Sequence, residues 1–140
     1  MRVLFLGFGD IARRAAPLFV AAGWQVTGVR RSADSFPGVR TLVGDCRERQ
    51  LVQSLVAEHD LVVVSMTPDN YGEQGYRDGY VAPAEVIRDS INAAAARPRL
   101  VLWTSSTGVY GQGAGAWVDE TSNAEPESFS GQLLLEAERI

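Results

Sequence analysis

The first thirty-one residues constrain this chain more than any other part of it. An apolar run, Arg2-Val3-Leu4-Phe5-Leu6, leads directly into Gly7-Phe8-Gly9-Asp10-Ile11-Ala12. A stretch with helical spacing follows to Ala22. A second apolar run, Gln25-Val26-Thr27-Gly28-Val29, then ends in Arg30-Arg31. The pattern predicts a strand, a glycine turn, a helix and a second strand with a charged tip. Gly7 permits a tight turn out of the strand, and Ala12 is small enough to let the helix pack against it. The first helical turn, at Asp10, Ile11 and Ala12, offers unpaired N–H groups and the positive end of the helix dipole.

That order is the dinucleotide-binding half of a Rossmann fold. In it Gly9 lets backbone amides approach a pyrophosphate, which rests on the helix N-terminus. The tip of the second strand selects the cofactor. An Asp or Glu there accepts a hydrogen bond from a ribose 2′-OH and repels a 2′-phosphate. Here Arg30, Arg31 and Ser32 follow Val29, and a guanidinium fork holds a phosphate in bidentate fashion. The sequence therefore favours NADP(H) over NAD(H).

At 140 residues, 46% of them hydrophobic, the chain is long enough for one domain with one core. A formal net charge of −4, with arginines scattered rather than clustered, argues against nucleic acid or a membrane surface as partner. No apolar run approaches the roughly 20 residues of a membrane span. One cysteine, Cys46, excludes an intrachain disulfide framework and suits a cytoplasmic protein. With a single histidine, His59, no transition-metal cluster is expected. All thirteen basic residues are arginine, and there is no lysine.

A βα rhythm runs along the rest of the chain. Strands are predicted at 2–6, 25–29, 39–43, 60–65 and 99–104, and helices at 10–22, 46–58, 80–96 and 128–139. The runs 60–65 and 99–104 are apolar on both faces, as in strands in the middle of a helix-covered parallel sheet. Pro17 should kink the first helix or leave one carbonyl unpaired. Residues 66–79 and 105–126 read as long loops after the carboxyl ends of strands, where open α/β sheets bind ligands. Ser65, Met66 and Thr67 should line the cofactor path. Asp45 is a candidate N-cap for the helix starting near Cys46.

Trp103-Thr104-Ser105-Ser106-Thr107-Gly108-Val109-Tyr110-Gly111 resembles the S-S-x-x-V-Y-G segment of extended short-chain dehydrogenases/reductases, the NAD(P)-dependent epimerase/dehydratase family. Trp117-Val118-Asp119-Glu120-Thr121 and Pro126-Glu127-Ser128 resemble its D-E-x…P-x-S stretch, and Gly131 and Glu138 fit its Tyr-Gly-x-x-Lys-x-x-x-Glu helix. The resemblance covers essentially the whole chain. It implies a three-layer αβα sandwich with a mostly parallel sheet in the order 3-2-1-4-5. It implies a substrate-binding, catalytic role for Ser106, against the plainer reading of a hydroxyl that caps its own backbone. It also implies an adenine contact at Asp45.

The departures matter as much. Aligned on Gly131, the family's acid/base tyrosine falls on Ser130 and its lysine on Leu134. Neither is competent, and with no lysine in the chain no register shift restores the pair. Tyr71, Tyr76, Tyr80 and Tyr110 are the only phenols. Tyr71 and Tyr76 share the 66–79 loop with Asp69, Glu73 and Arg77, all more simply read as solvated loop residues, and Tyr110 is expected to pack beside the site.

Two functional expectations follow. One is an NADP(H)-binding, short-chain-reductase-like protein that transfers hydride to or from a sugar-nucleotide or similar polar metabolite. The other is a non-catalytic NAD(P)-binding sensor or partner-binding module. In this family the chain continues with a sixth strand and a substrate domain. Residues 1–140 are accordingly expected to be the N-terminal Rossmann domain of a longer protein, with the substrate domain absent, or a minimal domain. Leu133-Leu134-Leu135 then calls for burial by association, as in a homodimer through the C-terminal helix.

Overall fold

The computed structural model describes residues 1–140. Five parallel strands form one sheet: β1 (Arg2–Leu6), β2 (Gln25–Arg30), β3 (Val39–Val43), β4 (Leu61–Val64) and β5 (Leu100–Trp103). Their spatial order is β3-β2-β1-β4-β5, as expected. The helices are α1 (Asp10–Ala21), α2 (Arg49–Val56), α3 (Glu73–Tyr76), α4 (Ala82–Ala93) and α5 (Phe129–Arg139).

Alternation along the central strands sends side chains into two cores. Val3, Phe5, Val26, Leu61 and Val63 pack with Phe8, Ala12 and Ala16 on the α1 side. Leu4, Leu6, Val29, Val62 and Val64 pack with Val52, Leu55, Val56 and Ile87 on the side of α2 and α4. Burying each of the Val, Leu, Ile and Phe side chains contributes about 1.5–3 kcal/mol, which is why β1 and β4 read as unbroken apolar runs. α1 runs through Pro17, whose missing N–H leaves the Arg13 carbonyl without its helical donor.

Two expectations need correction. The 99–104 run was assigned to the sheet interior, yet β5 pairs only with β4 and is an edge strand, with Leu100 and Leu102 about half exposed. Apolarity on both faces reports what a strand can pack against, not how many strands flank it. The second correction is in the 66–79 loop. Residues 73–76 are helical, and a π turn at Arg77–Val81 joins them to α4. In a regular helix the ring of Pro83 would collide with the carbonyl of Gly79; the wide turn just before it relieves that constraint. Gly75 and Gly79 made this stretch look like a loop. They serve instead as close contacts, since a Cβ on Gly75 would stand 2.6 Å from the Asn70 carbonyl oxygen and one on Gly79 would stand 2.8 Å from Pro68 Cα.

His59 lies at the amino end of β4, away from the ligand edge, and is buried. Its Nδ1 lies 2.7 Å from the Leu55 carbonyl oxygen, and its Nε2 lies 3.0 Å from Thr27 Oγ1. A carbonyl can only accept, so Nδ1 carries the proton and Nε2 accepts from Thr27. Burial pushes this imidazole below its ordinary value of 6.5. The unfolded chain therefore takes up the proton first, so the contribution of His59 to stability is complete above pH 6.5 and is lost as pH falls below it. Urea midpoints between pH 7.5 and 5.5 should decline in the wild type and flatten in His59→Gln. Equal slopes would contradict this.

Candidate functional site: a cleft at the carboxyl edge of the sheet

β1 is flanked by β2 and β4, so the chain leaves it in one direction for β2 and β3 and in the other for β4 and β5. A cleft opens at this reversal, beyond the carboxyl ends of the strands. Its cavity is about 590 Å³. The glycine turn forms its floor with Gly7, Phe8 and Gly9. Arg30, Arg31 and Ser32 line one end, Gly44 to Arg47 the side below β3, and Ser65, Met66, Thr67 and Asp69 the wall after β4. Asp78, Gly79 and Pro83 close it from the π turn and α4.

Gly7 has φ +88°, and a Cβ there would stand 2.6 Å from the Ser65 carbonyl oxygen. Ser65 Oγ donates to the Gly7 carbonyl at 2.9 Å, and Phe8 N–H donates to Val29 O at 2.8 Å. The turn is thus tied to β4 and β2 at once. Gly9 starts α1 without a side-chain cap, and a Cβ on it would meet nothing within 4 Å. The first helical donor with a backbone partner is Arg13, which reaches Gly9 O at 3.0 Å. The N–H groups of Asp10, Ile11 and Ala12 before it have no backbone partner. Their side chains stay outside the cleft: Asp10 pairs with Arg14 at 3.0 Å, Ile11 is exposed, and Ala12 is fully buried against the sheet.

Each arginine at the cleft is matched to a carboxylate. Arg30 shares Asp34 with Arg13 from α1. Arg31 grips Asp69 with a 2.6 Å contact. Arg47 holds Asp45 through Nε at 2.9 Å and Nη2 at 2.6 Å, and this guanidinium holds the Asp45 carboxyl below its usual range. Asp45 is not the N-cap of α2, which begins later, at Arg49 after Glu48; its Oδ1 instead accepts from Arg47 N–H at 2.9 Å. Arg47, Asp69 and Asp78 were not identified from sequence as cleft residues. Asp45-Cys46-Arg47, just after a strand at the ligand edge, was the available signal for Arg47. The Cys46 thiol lines the cleft, and burial first, then the Asp45 charge, pushes it up to about 11.

The second candidate group lies elsewhere. Ser106 follows β5, is exposed, and does not line the cleft; its Oγ accepts from Gly108 N–H at 3.1 Å, capping the short 3₁₀ turn Thr107–Val109. That turn docks on α5, because a Cβ on Gly131 would stand 2.2 Å from the Gly108 carbonyl oxygen. Ser130 Oγ lies 3.2 Å from Ser128 Oγ, and Ser128 caps α5. Leu134 is buried at 5% exposure. Phe129, beside Ser130, carries the rings of Tyr71 and Tyr76 at 5.3 and 5.7 Å. Tyr80 tilts against Tyr76 at 5.5 Å, and Tyr110 is half-buried. Arg77 reaches Glu136 of α5 at 3.3 Å and Glu73 at 3.6 Å.

Residues 7–131, from the glycine turn to Gly131, match the family described as NAD(P)H-binding. The chain belongs to that family. This NAD(P)H-binding protein is 30% identical to protein YeeZ of Escherichia coli (strain K12) over 145 residues, 98% of the chain and 52% of the relative. The chain thus spans about half the length of the curated relatives it matches. A Methylobacillus flagellatus protein assigned as an NAD-dependent epimerase/dehydratase is 33% identical, with a TM-score of 0.77 over 99% of this chain and 49% of that one. A UDP-glucuronic acid 4-epimerase from Bacillus cereus, in complex with NAD, shares the fold at 17% identity, with a TM-score of 0.83 over 99% of this chain and 50% of that one. No helix is long and apolar enough to cross a membrane.

The two glycines should separate on mutation. Gly7→Ala combines a positive φ with a backbone collision and should cost more than about 1 kcal/mol of stability. Gly9→Ala should cost less than about 1 kcal/mol, because space is open there, yet weaken dinucleotide binding roughly tenfold by crowding the pyrophosphate path. Thermal melts and calorimetric titration test both. Unchanged affinity in Gly9→Ala would contradict the site.

Proposed function

We propose that the cleft binds NADP(H) and that the protein presents it for hydride transfer to or from a sugar-nucleotide or similar polar metabolite. The observation that carries the cofactor choice is the tip of β2, where Arg30, Arg31 and Ser32 line the cleft in place of an acidic residue. The pyrophosphate would lie over Gly9 and take the unpartnered N–H groups of Asp10, Ile11 and Ala12. Ser65, Met66 and Thr67 would border the riboses, and Asp45 the adenine. Bound NADPH would supply the hydride, or bound NADP+ would accept it, and the chain would supply orientation and field. Ser106 would donate a hydrogen bond from its hydroxyl to a substrate oxygen, since its cap bond occupies only an acceptor position, and the proton that accompanies hydride transfer would move through a separate acid. The substrate class rests on the S-S-x-x-V-Y-G resemblance and agrees with the UDP-sugar epimerases that share the fold. The rest of a substrate pocket belongs to the same proposal, with a cytoplasmic location. So does a homodimer through α5, although Leu133 and Leu134 are already buried within the chain, Leu133 in a cluster with Val81 and Ala84, and do not require one.

One observation favours a second reading, a non-catalytic NAD(P)-binding sensor or partner-binding module. The positions of the acid/base pair hold Ser130 and a buried Leu134, so nothing there can lower the pKa of a donor. Titration with NADPH and NADH, on wild type and Arg30→Glu, tests the cofactor choice. NADPH should bind about tenfold or more tightly than NADH, with the difference lost in the variant. Equal binding of both would overturn it. Turnover on a carbonyl panel that collapses in Ser106→Ala, at unchanged NADPH affinity, supports the enzyme. NADPH binding that alters self-association without turnover supports the sensor.

A further inference from the structure

The Arg31–Asp69 pair differs from the other ion pairs of the cleft. Asp34 and Asp45 come from the same side as the arginines they hold, whereas Asp69 reaches across from the loop after β4. β1 lies between the two strands involved. The contact is a two-pronged fork: Nη1 to Oδ2 at 2.6 Å and Nη2 to Oδ1 at 2.5 Å. Both residues line the cavity, and both side chains are about half exposed, so water and ligand can reach the pair. The Arg31 guanidinium draws the Asp69 carboxyl down, so the pair is fully ionised at neutral pH. A fork of this kind fits a carboxylate and a phosphate equally well, and a phosphate dianion brings more charge and a third oxygen.

We propose that Asp69 is a specificity-determining residue: its carboxylate occupies Arg31 in the place of a 2′-phosphate, and the phosphate must displace it. This rests on the NADP(H) reading above. NADH has no group to offer Arg31 and binds with the pair intact. NADPH exchanges one anion for another, so Asp69 lowers the selectivity that the bare arginines would give.

The test is calorimetric titration of NADPH and NADH into wild type, Asp69→Asn, Arg31→Ala and the double variant, with Asp69→Ser as a second removal of the charge and thermal melts to confirm folding. The readout is the ratio of the two affinities, in which any general attraction to the shared pyrophosphate cancels. Asp69→Asn should raise the NADPH preference about 2- to 5-fold, the exchange value of one exposed ion pair. In the Arg31→Ala background the same substitution should leave the ratio unchanged. A ratio unmoved by Asp69→Asn and Asp69→Ser, while Arg31→Ala lowers it, overturns this inference and leaves the cofactor reading intact. An equal effect in both backgrounds also overturns it, because the charge would then act without Arg31. A wild type with no NADPH preference, and no response to the arginine variants, overturns the cofactor reading and this inference with it.

Discussion

Everything at the ligand edge depends on the approach of Gly7 to the backbone of Ser65. β1 and β4 are hydrogen-bonded neighbours, and at their carboxyl ends the chain must turn away without filling the space between them. The Gly7 position, with its positive φ and a carbonyl 2.6 Å from where a Cβ would stand, admits no side chain. The Ser65 hydroxyl and the Phe8 amide then fasten the turn to both neighbouring strands. With that joint fixed, α1 points its uncapped end into the cleft, and the tips of β2, β3 and β4 surround it. The packed cores on both sides of the sheet keep this edge rigid.

The electrostatics of the cleft are balanced rather than basic. Arginines at the ends of β2 and β3 face aspartates from three different segments, so the cleft carries ion pairs in place of bare positive charge. This arrangement suits reversible binding of an anionic ligand. On the proposed reading a 2′-phosphate would meet guanidinium groups already held in position and would outcompete carboxylates rather than water. Exposed pairs of this sort are individually weak, which keeps the exchange easy.

Much of this was legible in the sequence. The βα rhythm and the glycine turn follow from periodicity and local residue chemistry, both of which are near-neighbour properties, whereas the strand order is what the family resemblance implied. Arg30 and Arg31 could be placed at the ligand edge because they directly follow a strand. Their partners could not: Asp34 is close in sequence but also serves Arg13, and Asp69 lies 38 residues from Arg31. Only the folded sheet brings those charges together. The helical character of residues 73–79 was hidden because their glycines, read as breakers, answer to contacts with Asn70 and Pro68. Ser106 shows the converse. Its sequence context is the family's, but locally its hydroxyl caps its own turn, and the cleft beside the glycine turn does not include it.

The central claim is that one cleft, built around Gly7 at the carboxyl edge, takes the dinucleotide. Amide hydrogen exchange read by mass spectrometry, with and without saturating NADPH, addresses it directly. Slowed exchange should appear in residues 8–13, 30–34, 44–48 and 65–70, with the amides of Asp10, Ile11 and Ala12 among the most affected. Protection absent from the glycine turn, or confined to α4, β5 and α5, would contradict the account.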